Sequence, residues 1–176
     1  MLYLRTGLMM IVCFFSLSAF AANERAIFDQ SFGDYSEELI EAKEQNKKGV
    51  LLFFELDECP FCHSMKTTVL NQPEVMAYLK KHFLVFSIDI EGDVEMTTFS
   101  GKETTMKNFS EKDNRVRATP VFAFYDLDGN KVTKHTGPVS DVEEMLWLTE
   151  YVVKEEYKRQ RFTKFRRMKR KQKNKK

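Results

Sequence analysis

Two cysteines separated by two residues constrain this chain more than any other feature. Cys59 and Cys62 follow an unbroken apolar run, Val50–Phe54, and precede a helical pattern that extends to about Leu70. Pro60 suits the first turn of a helix, where its missing N–H group costs nothing. Thiols at this spacing can close into a disulfide and reopen, and the unpaired N–H groups at a helix start favour the thiolate of the first cysteine. The motif is therefore a candidate redox switch.

The same motif matches two other chemistries. Because His63 follows directly, Cys59-x-x-Cys62-His63 also fits the attachment motif for covalent haem. The three side chains could belong to a zinc site, but structural zinc takes four ligands and the chain offers no second pair. The motif lies between an apolar strand and a helix, which leaves no obvious room for a macrocycle. We therefore expect neither a metal nor a cofactor.

The N-terminus is typical of an exported protein. Residues 1–5 carry one positive charge, residues 8–20 are apolar, and Ala19-Phe20-Ala21 fits a small-x-small cleavage site. Together these features predict a secretory signal peptide over residues 1–21, cleaved after Ala21, and a periplasmic protein. An uncleaved membrane anchor is the alternative. Cleavage removes Cys13 and leaves only the two motif cysteines. A single pair of closely spaced cysteines indicates a redox-active site more than a structural disulfide.

The rest of the chain divides by charge. Residues 158–176 hold twelve Lys or Arg and no acid, whereas residues 22–157 hold 15 basic and 26 acidic residues. We interpret residues 22–34 as an N-terminal lead-in, 35–157 as the folded domain and 158–176 as a basic C-terminal tail. The tail is either a solvated, frayed extension of the final helix or a membrane-surface contact that is attracted to anionic lipid. Nucleic-acid binding is disfavoured because export removes the chain from the cytoplasm.

The hydrophobic pattern predicts alternating helices and strands. A helix from Tyr35 to about Lys47, with Asp34 as its N-cap, precedes the strand Val50–Phe54. Further strands are predicted over residues 83–90, 121–125 and 131–136. Further helices are predicted from near 59 to about 70, from 73 to near 82, around 105–112, and from near 140 or 141 with apolar positions to 153. His135 is expected to face solvent on the last strand, which lies near the sheet edge.

The order of these elements predicts a mixed sheet. A helical crossover joins the first two strands, which should be parallel, whereas the turn Asp126–Asn130 joins the last two, which should be antiparallel. Residues 91–114 are too long for a plain connection and should contain a helix and an exposed loop. We expect partner specificity to reside in this connection.

At this point the chain resembles the thioredoxin superfamily. The resemblance is carried by Cys59-Pro-Phe-Cys62 after the first strand, Thr119-Pro120 before the third, and the Asp128-Gly129-Asn130 hairpin. More narrowly, it is similar to the SoxW-type periplasmic thioredoxins through Gln72-Pro-Glu-Val75, Ser87-Ile-Asp-Ile-Glu-Gly92 and Val116-Arg-Ala-Thr-Pro120. The resemblance implies an α/β thioredoxin-like fold: a central mixed sheet flanked by helices, with a long insertion before the cis-proline strand.

The resemblance also implies roles for individual residues. Cys59 would be the attacking nucleophile and Cys62 the buried resolving thiol of a redox-active disulfide. Pro120 would be cis and lie beside that disulfide, and the Thr119 backbone would pair with an extended substrate segment. Pro60 and Phe61 would complete the substrate-binding surface.

Three positions depart from the family pattern. Phe53 stands where thioredoxins usually carry a buried acid, a residue near Val85 replaces the lysine that pairs with it, and Glu58 replaces the tryptophan before the first cysteine. Glu55, two residues along the same strand face, could replace the buried acid as proton acceptor for Cys62. Alternatively, it is a rim carboxylate with no part in proton transfer.

The charges around the motif favour a reductant. Asp57 and Glu58 lie beside Cys59 and should raise its thiol pKa, whereas His63 and Lys66 act the other way from further along the helix. The strongly oxidising protein DsbA has a histidine between its two motif cysteines, and Phe61 occupies that position in this chain. We therefore expect a reduction potential nearer about −270 mV than about −120 mV.

These expectations define the partners. The protein would be a monomer that reduces protein disulfides and receives electrons from a membrane dithiol donor of the DsbD type. The main alternative from another class is a non-catalytic thioredoxin-fold binding protein with idle cysteines.

Overall fold

The computed structural model describes residues 27–175 of the chain. The predicted signal peptide and the start of the lead-in lie outside the described residues. The strands are β1 (Gly49–Glu55), β2 (Phe83–Asp89), β3 (Glu95–Thr97), β4 (Glu103–Thr105), β5 (Val121–Tyr125) and β6 (Lys131–Thr136). The helices are α1 (Tyr35–Glu44), α2 (Pro60–Ser64), α3 (Pro73–His82), α4 (Met106–Asn108), α5 (Val142–Val153) and α6 (Phe162–Lys173). Wider π-helical turns continue α2 over Met65–Leu70 and α4 over Phe109–Asp113.

Four strands form the central sheet in the order β2-β1-β5-β6. β1 is parallel to β2 and antiparallel to β5, which is antiparallel to β6. These pairings confirm the predicted mixed sheet, with the parallel pair joined by a helical crossover and the antiparallel pair by a short turn. Gly49 begins β1 so close to β5 that a Cβ atom there would lie 1.9 Å from the Tyr125 carbonyl oxygen, so only glycine fits.

Helices cover both faces of the sheet, and the period-2 alternation of strand side chains divides the core. Leu51, Phe53 and Phe122 contribute to one face, which α2, α3, α5 and α6 cover. Leu52 and Phe54 contribute to the other, which α1 and the Phe109 turn cover. Both central strands are therefore buried on two sides, which explains their unbroken apolar sequences.

The connection between β2 and β5 is more ordered than the sequence suggested. Its predicted helix is confirmed as α4 with its π-helical continuation, but β3 and β4 also form a hairpin that the sequence pattern did not reveal. The Thr97 N–H donates to the Gly33 carbonyl at 2.7 Å and so fixes the hairpin to the segment before α1. The predicted exposed loop is therefore largely regular structure.

Helix α1 ends earlier than predicted. Asp34 caps its start, accepting hydrogen bonds from the Ser36 and Glu37 N–H groups, as expected. At the other end Asn46 has a φ of 56°, in the left-handed region that terminates helices. The helix therefore stops at Glu44 rather than at Lys47.

The basic C-terminal segment is not a frayed extension of α5, and that interpretation is wrong. Glu155, in left-handed conformation, follows α5 and the chain turns back, so that α6 packs against α5 and buries Phe165. Arg166 and Arg170 both pair with Glu144 of α5, whose side chain is only 2% exposed. The seven basic residues of α6 therefore do not repel this helix from the domain, because acidic side chains of α5 form ion pairs with four of them.

His135 does not face solvent, contrary to the prediction. The Phe162 ring of α6 packs edge-on against its imidazole, with ring centroids 5.7 Å apart. Its Nε2 atom is buried and has no hydrogen-bond partner among the described residues. The prediction failed because β6 is an edge strand in the sheet but is covered by a helix that follows it in sequence.

None of the helices within residues 27–175 combines the length and the apolar character that crossing a bilayer requires.

Candidate active site

The two motif cysteines form a disulfide just beyond the end of β1. Their Cα atoms are 5.2 Å apart, and Cys59 is the N-cap residue of α2. The Cys59 Sγ atom accepts a hydrogen bond from the Cys62 N–H at 3.1 Å, so a sulfur occupies the place that a Ser or Asp oxygen usually takes at a helix start. The same N–H group would stabilise negative charge on Cys59 once the disulfide opens.

The two sulfur-bearing residues differ in burial. Cys59 is 8% exposed and Cys62 only 1% exposed. Pro60 and Phe61, which lie between them, point outward, and Phe61 retains 61% of its accessible surface. An incoming partner therefore meets Cys59 and an apolar ring, while Cys62 stays beneath them.

The Thr119–Pro120 peptide bond is cis and directly precedes β5. Val121 pairs with Phe54, so this peptide lies at the sheet edge where β1 ends and the cysteine motif begins. The Pro120 carbonyl accepts a hydrogen bond from the Gly137 N–H at 2.8 Å. Within residues 27–175 the backbone N–H and C=O groups of Thr119 have no hydrogen-bond partner, which leaves them free to pair with another chain.

The interior beneath the disulfide is apolar. Phe53 is fully buried, with its ring centroid 5.7 Å from that of Phe28 and 5.1 Å from that of Phe122. Val85 on β2 is also buried. The positions at which thioredoxins usually hold an acid and a lysine therefore carry hydrocarbon, and any proton acceptor for Cys62 must come from elsewhere.

Glu55 is the last residue of β1, and its ionisable side chain is on the same face of the strand as Phe53. Its side chain is 14% exposed and lies 2.5 Å from the Lys66 Nζ atom. Ser87 of β2 donates a short hydrogen bond to its other carboxylate oxygen. Lys66 is four residues after Cys62, hence about one helical turn away, so this ion pair connects the end of β1 to the helix that carries the disulfide. The sequence identified Glu55 but not its partners, although the four-residue spacing of Cys62 and Lys66 was visible.

The other charged residues near the motif are open to solvent. Asp57, Glu58 and His63 are exposed, and none of them forms an ion pair within the described part of the chain. Because solvent and salt screen exposed charges, each acts on the disulfide more weakly than the hydrogen bond at Cys59 Sγ. In residues 27–175 no group of three or more His, Cys, Asp or Glu side chains converges as a metal site would require.

A mixed sheet of this order, with a cysteine pair at the start of the helix after β1, is the arrangement of a thioredoxin-like fold. Residues 35–153 match the thioredoxin-like domain family, and the chain belongs to that family. A thioredoxin-fold protein from Helicobacter pylori is 19% identical over 81% of this chain and 89% of its own, with a TM-score of 0.61. A thioredoxin from Thermus thermophilus is 25% identical over 68% of this chain and 84% of its own, with a TM-score of 0.53. No curated protein matches the sequence.

Proposed function

We propose that this protein reduces disulfide bonds in other proteins in the periplasm. The Cys59 thiolate attacks one sulfur of the substrate disulfide, forms a mixed disulfide and releases the other sulfur as a thiolate. The Cys62 thiolate then attacks Cys59 Sγ, frees the second substrate thiol and closes the Cys59–Cys62 disulfide. Two electrons pass to the substrate in each cycle. The observation that carries this proposal is the pairing of Cys59, whose sulfur accepts an N–H hydrogen bond and which is the more exposed cysteine at 8%, with Cys62, which is only 1% exposed.

The substrate segment would lie across the edge of the sheet at the disulfide. In this proposal the unpartnered backbone groups of Thr119 pair with an extended substrate chain, and Pro120 packs beside the disulfide. Phe61 and Pro60 give the substrate an apolar surface next to Cys59. The half-exposed position of Thr119 and the exposed ring of Phe61 support this arrangement.

We propose that Glu55 accepts the proton of Cys62 during the resolving step, with Lys66 holding the carboxylate. Glu55→Gln should then slow release of the substrate from its mixed disulfide by roughly 10-fold or more and change the pH dependence of that step. Glu58→Gln is the matched control, because it removes a carboxylate that is exposed. Equal rates in the two variants would leave Glu55 without a part in proton transfer.

Reduction is favoured over oxidation by the exposed acids beside Cys59. Asp57 and Glu58 disfavour a thiolate, which makes the reduced form less stable and the pair a better reductant. Lys66 would oppose them, but its charge is already paired with Glu55. His63 remains as a weak opposing charge.

The decisive experiment measures the reduction potential of the Cys59–Cys62 pair against a glutathione series, together with an absorption spectrum. A potential near about −270 mV and turnover of an insulin-type substrate are expected. A potential near about −120 mV would indicate an oxidase or isomerase instead. Cys62→Ser should trap substrates on Cys59 as mixed disulfides, and the double variant Cys59→Ser/Cys62→Ser is the control.

Two alternatives have distinct outcomes in the same experiment. A non-catalytic thioredoxin-fold binding protein would show no turnover in spite of a stable fold. Covalent haem at Cys59-x-x-Cys62-His63 would give a Soret band, although the 1% exposure of Cys62 argues against a thioether at that sulfur.

We infer the compartment and the electron source from the N-terminal sequence and from the family resemblance. We propose that residues 1–21 direct export and that a membrane dithiol donor of the DsbD type reduces the Cys59–Cys62 disulfide. Similarity to the SoxW-type proteins suggests sulfur-oxidation or cytochrome-maturation thiols as substrate classes. A monomer would present the disulfide to both partners in turn.

We also propose that the outer face of α6 contacts an anionic lipid surface and keeps the protein near that donor. The inner face pairs with acids of α5, whereas Lys164, Arg167 and Lys171 share the opposite face and form no ion pair within the described residues. Met168, 38% exposed, adds an apolar side chain to this outer face. Cations around an apolar side chain are typical of interfacial helices.

Charge reversal tests this contact better than truncation, because removing α6 would uncover the core at Phe165. Lys164→Glu/Arg167→Glu/Lys171→Glu should abolish flotation with phosphatidylglycerol vesicles. Lys43→Glu/Lys48→Glu/Lys102→Glu makes the same charge change on exposed residues elsewhere and should leave flotation intact. Flotation that is lost equally in both variants would reduce the contact to a general charge effect and refute a role for α6.

A further inference from the structure

An open groove of about 780 Å³ lies outside the disulfide site described above. Its walls come from the residues after β2, from α4 with its π-helical continuation, and from the chain that leads to Thr119. The charged residues that line it are Lys107, Lys112, Arg115, Arg117, Glu91 and Glu111. Ile90 and Val116 add apolar surface.

The groove is at the same edge of the sheet as the disulfide. The Ile90 N–H donates to the Glu55 carbonyl at 3.0 Å, which ties one wall to the residue four positions before Cys59. On the other wall Arg117 is three residues before Pro120. A substrate chain that reaches the disulfide along the Thr119 backbone therefore passes beside this groove.

The groove carries an excess of unpaired positive charge. Its four cations are exposed, and none of the ion pairs formed within residues 27–175 includes any of them. Two carboxylates on the walls leave a net charge of about +2 by formal count. The positive charge of the groove contrasts with the negative charge beside the cysteine motif, which comes from Asp57 and Glu58. The disulfide therefore has an acidic rim, Asp57 and Glu58, next to it in sequence and a basic groove at the same edge of the sheet.

One wall is fixed in place by hydrogen bonds from β6. Lys134 Nζ donates to the Asn114 carbonyl at 2.9 Å and to the Arg115 carbonyl at 3.2 Å. Lys131 Nζ donates to the Asn114 side-chain oxygen at 2.9 Å. Because these bonds hold the backbone that carries Arg115 and Arg117, less ordering is left to occur when a ligand binds.

We infer that this groove binds an acidic segment of the substrate protein, close in sequence to the cysteine that Cys59 attacks. The inference rests on the proposed reductase function and gives it a substrate class. Two stretches of the chain, α4 with its π-helical continuation and the residues before β5, supply four cations along an open groove, which fits an extended acidic peptide better than a single small anion. Such charge complementarity raises the association rate and the discrimination between partners, and salt weakens it.

The acidic rim, Asp57 and Glu58, and the basic groove predict opposite charge preferences for the substrate, so the two influences can be distinguished. If Asp57 and Glu58 alone governed substrate choice, the reduced protein would prefer basic substrates. The groove predicts the opposite preference for charges that begin a few residues away from the substrate cysteine, beyond the immediate reach of the rim.

Three otherwise identical disulfide peptides provide the test, with Asp, Ser or Lys triplets that begin three residues from the reactive cysteine. The reduced full-length protein should reduce the Asp peptide with a kcat/KM about 10-fold above that for the Lys peptide at low ionic strength, and high salt should erase the difference. Lys112→Glu/Arg117→Glu should bring this ratio to one or below, with the Ser peptide changed less than about twofold. Neither residue contacts the disulfide in the proposed mechanism.

Lys164→Glu/Lys171→Glu is the matched control. It makes the same change in net charge on α6, which covers the other face of the sheet, and should keep the preference. Equal rates for the three peptides, a preference for the Lys peptide, or a preference that survives Lys112→Glu/Arg117→Glu would each overturn the inference while leaving reductase function intact. Failure to reduce any peptide, including the Ser peptide, would refute the proposed function and the inference together.

Discussion

Glu144 should contribute more to the stability of this protein than any exposed acid of the same helix. Its side chain is 2% exposed, and Arg166 and Arg170 of α6 both pair with it. Ser140 also donates a hydrogen bond to its carboxylate at 2.5 Å. Burial acts to raise the pKa of Glu144, but the hydrogen bonds from Ser140 and Arg166 and the charge of Arg166 outweigh it and lower the pKa. The carboxylate is therefore charged and fully partnered in the folded protein.

Glu144→Gln removes that charge and keeps the size of the side chain. Removing one partner of a fully buried pair costs about 3–5 kcal/mol, because the other charge stays buried. Here the two arginine side chains are 32% and 52% exposed and can regain water, so the cost should be smaller. We expect the free energy of unfolding to fall by about 2 kcal/mol, which lowers Tm by roughly 4–8 °C in a chain of this length.

Urea denaturation followed by circular dichroism measures this change. Glu143→Gln is the matched control: it removes a neighbouring acid that pairs with Lys173, but both of these side chains are substantially exposed, 38% and 63%. It should cost no more than about 0.5 kcal/mol. Equal losses in the two variants would refute the reasoning that the buried carboxylate anchors α6.

Three further predictions concern the packing of α6 and the rim of the active site. Burial is the largest influence on the pKa of His135 and lowers it below the ordinary value of 6.5. The unfolded chain therefore binds this proton at a higher pH than the folded protein, and the free energy of unfolding should fall as the pH drops below about 6.5. Urea denaturation between pH 5 and 7 should show a smaller fall in His135→Gln. Phe165→Ala should cost about 3 kcal/mol of unfolding free energy, because its ring is 6% exposed between α5 and α6, and a loss below about 1 kcal/mol would contradict this packing. Phe61→Ser should change stability by less than about 0.5 kcal/mol and raise the KM for protein substrates with little change in kcat, whereas an unchanged KM would mean that the exposed ring does not contact substrate.

Short-range patterns predicted most of the fold. The strands β1, β2 and β5 each contain a run of at least four apolar residues because both of their faces are covered there, and such a run is visible in a short window of sequence. The turn before β6 and the crossover between β1 and β2 indicated strand directions by their lengths alone. The spacing of Cys59 and Cys62 likewise needed no tertiary information, because one turn of helix brings the two sulfur atoms together.

The surroundings of the disulfide were only partly predictable. The sequence pointed to Glu55 as an acid on the same strand face as Phe53, but its ion pair with Lys66 and its hydrogen bond from Ser87 join three elements. The groove formed by Lys107, Lys112, Arg115 and Arg117 combines a helix with the chain before β5. These cations looked like ordinary solvated charges in the sequence, because nothing local shows that two segments form walls of one cavity.

The basic C-terminal segment marks most clearly what the sequence determined and what it left to the tertiary structure. The sequence determined that residues 158–176 would be strongly basic, with no acidic residue among them. Only the tertiary structure decided that α6 turns back onto α5, covers His135 and pairs with Glu144. The physical reason is that Glu144 and Arg166 are 22 residues apart, and the energy of their ion pair depends on burial and on the partners around it. The amino-acid composition shows that both charges are present, but it gives neither the distance between them nor their exposure to water.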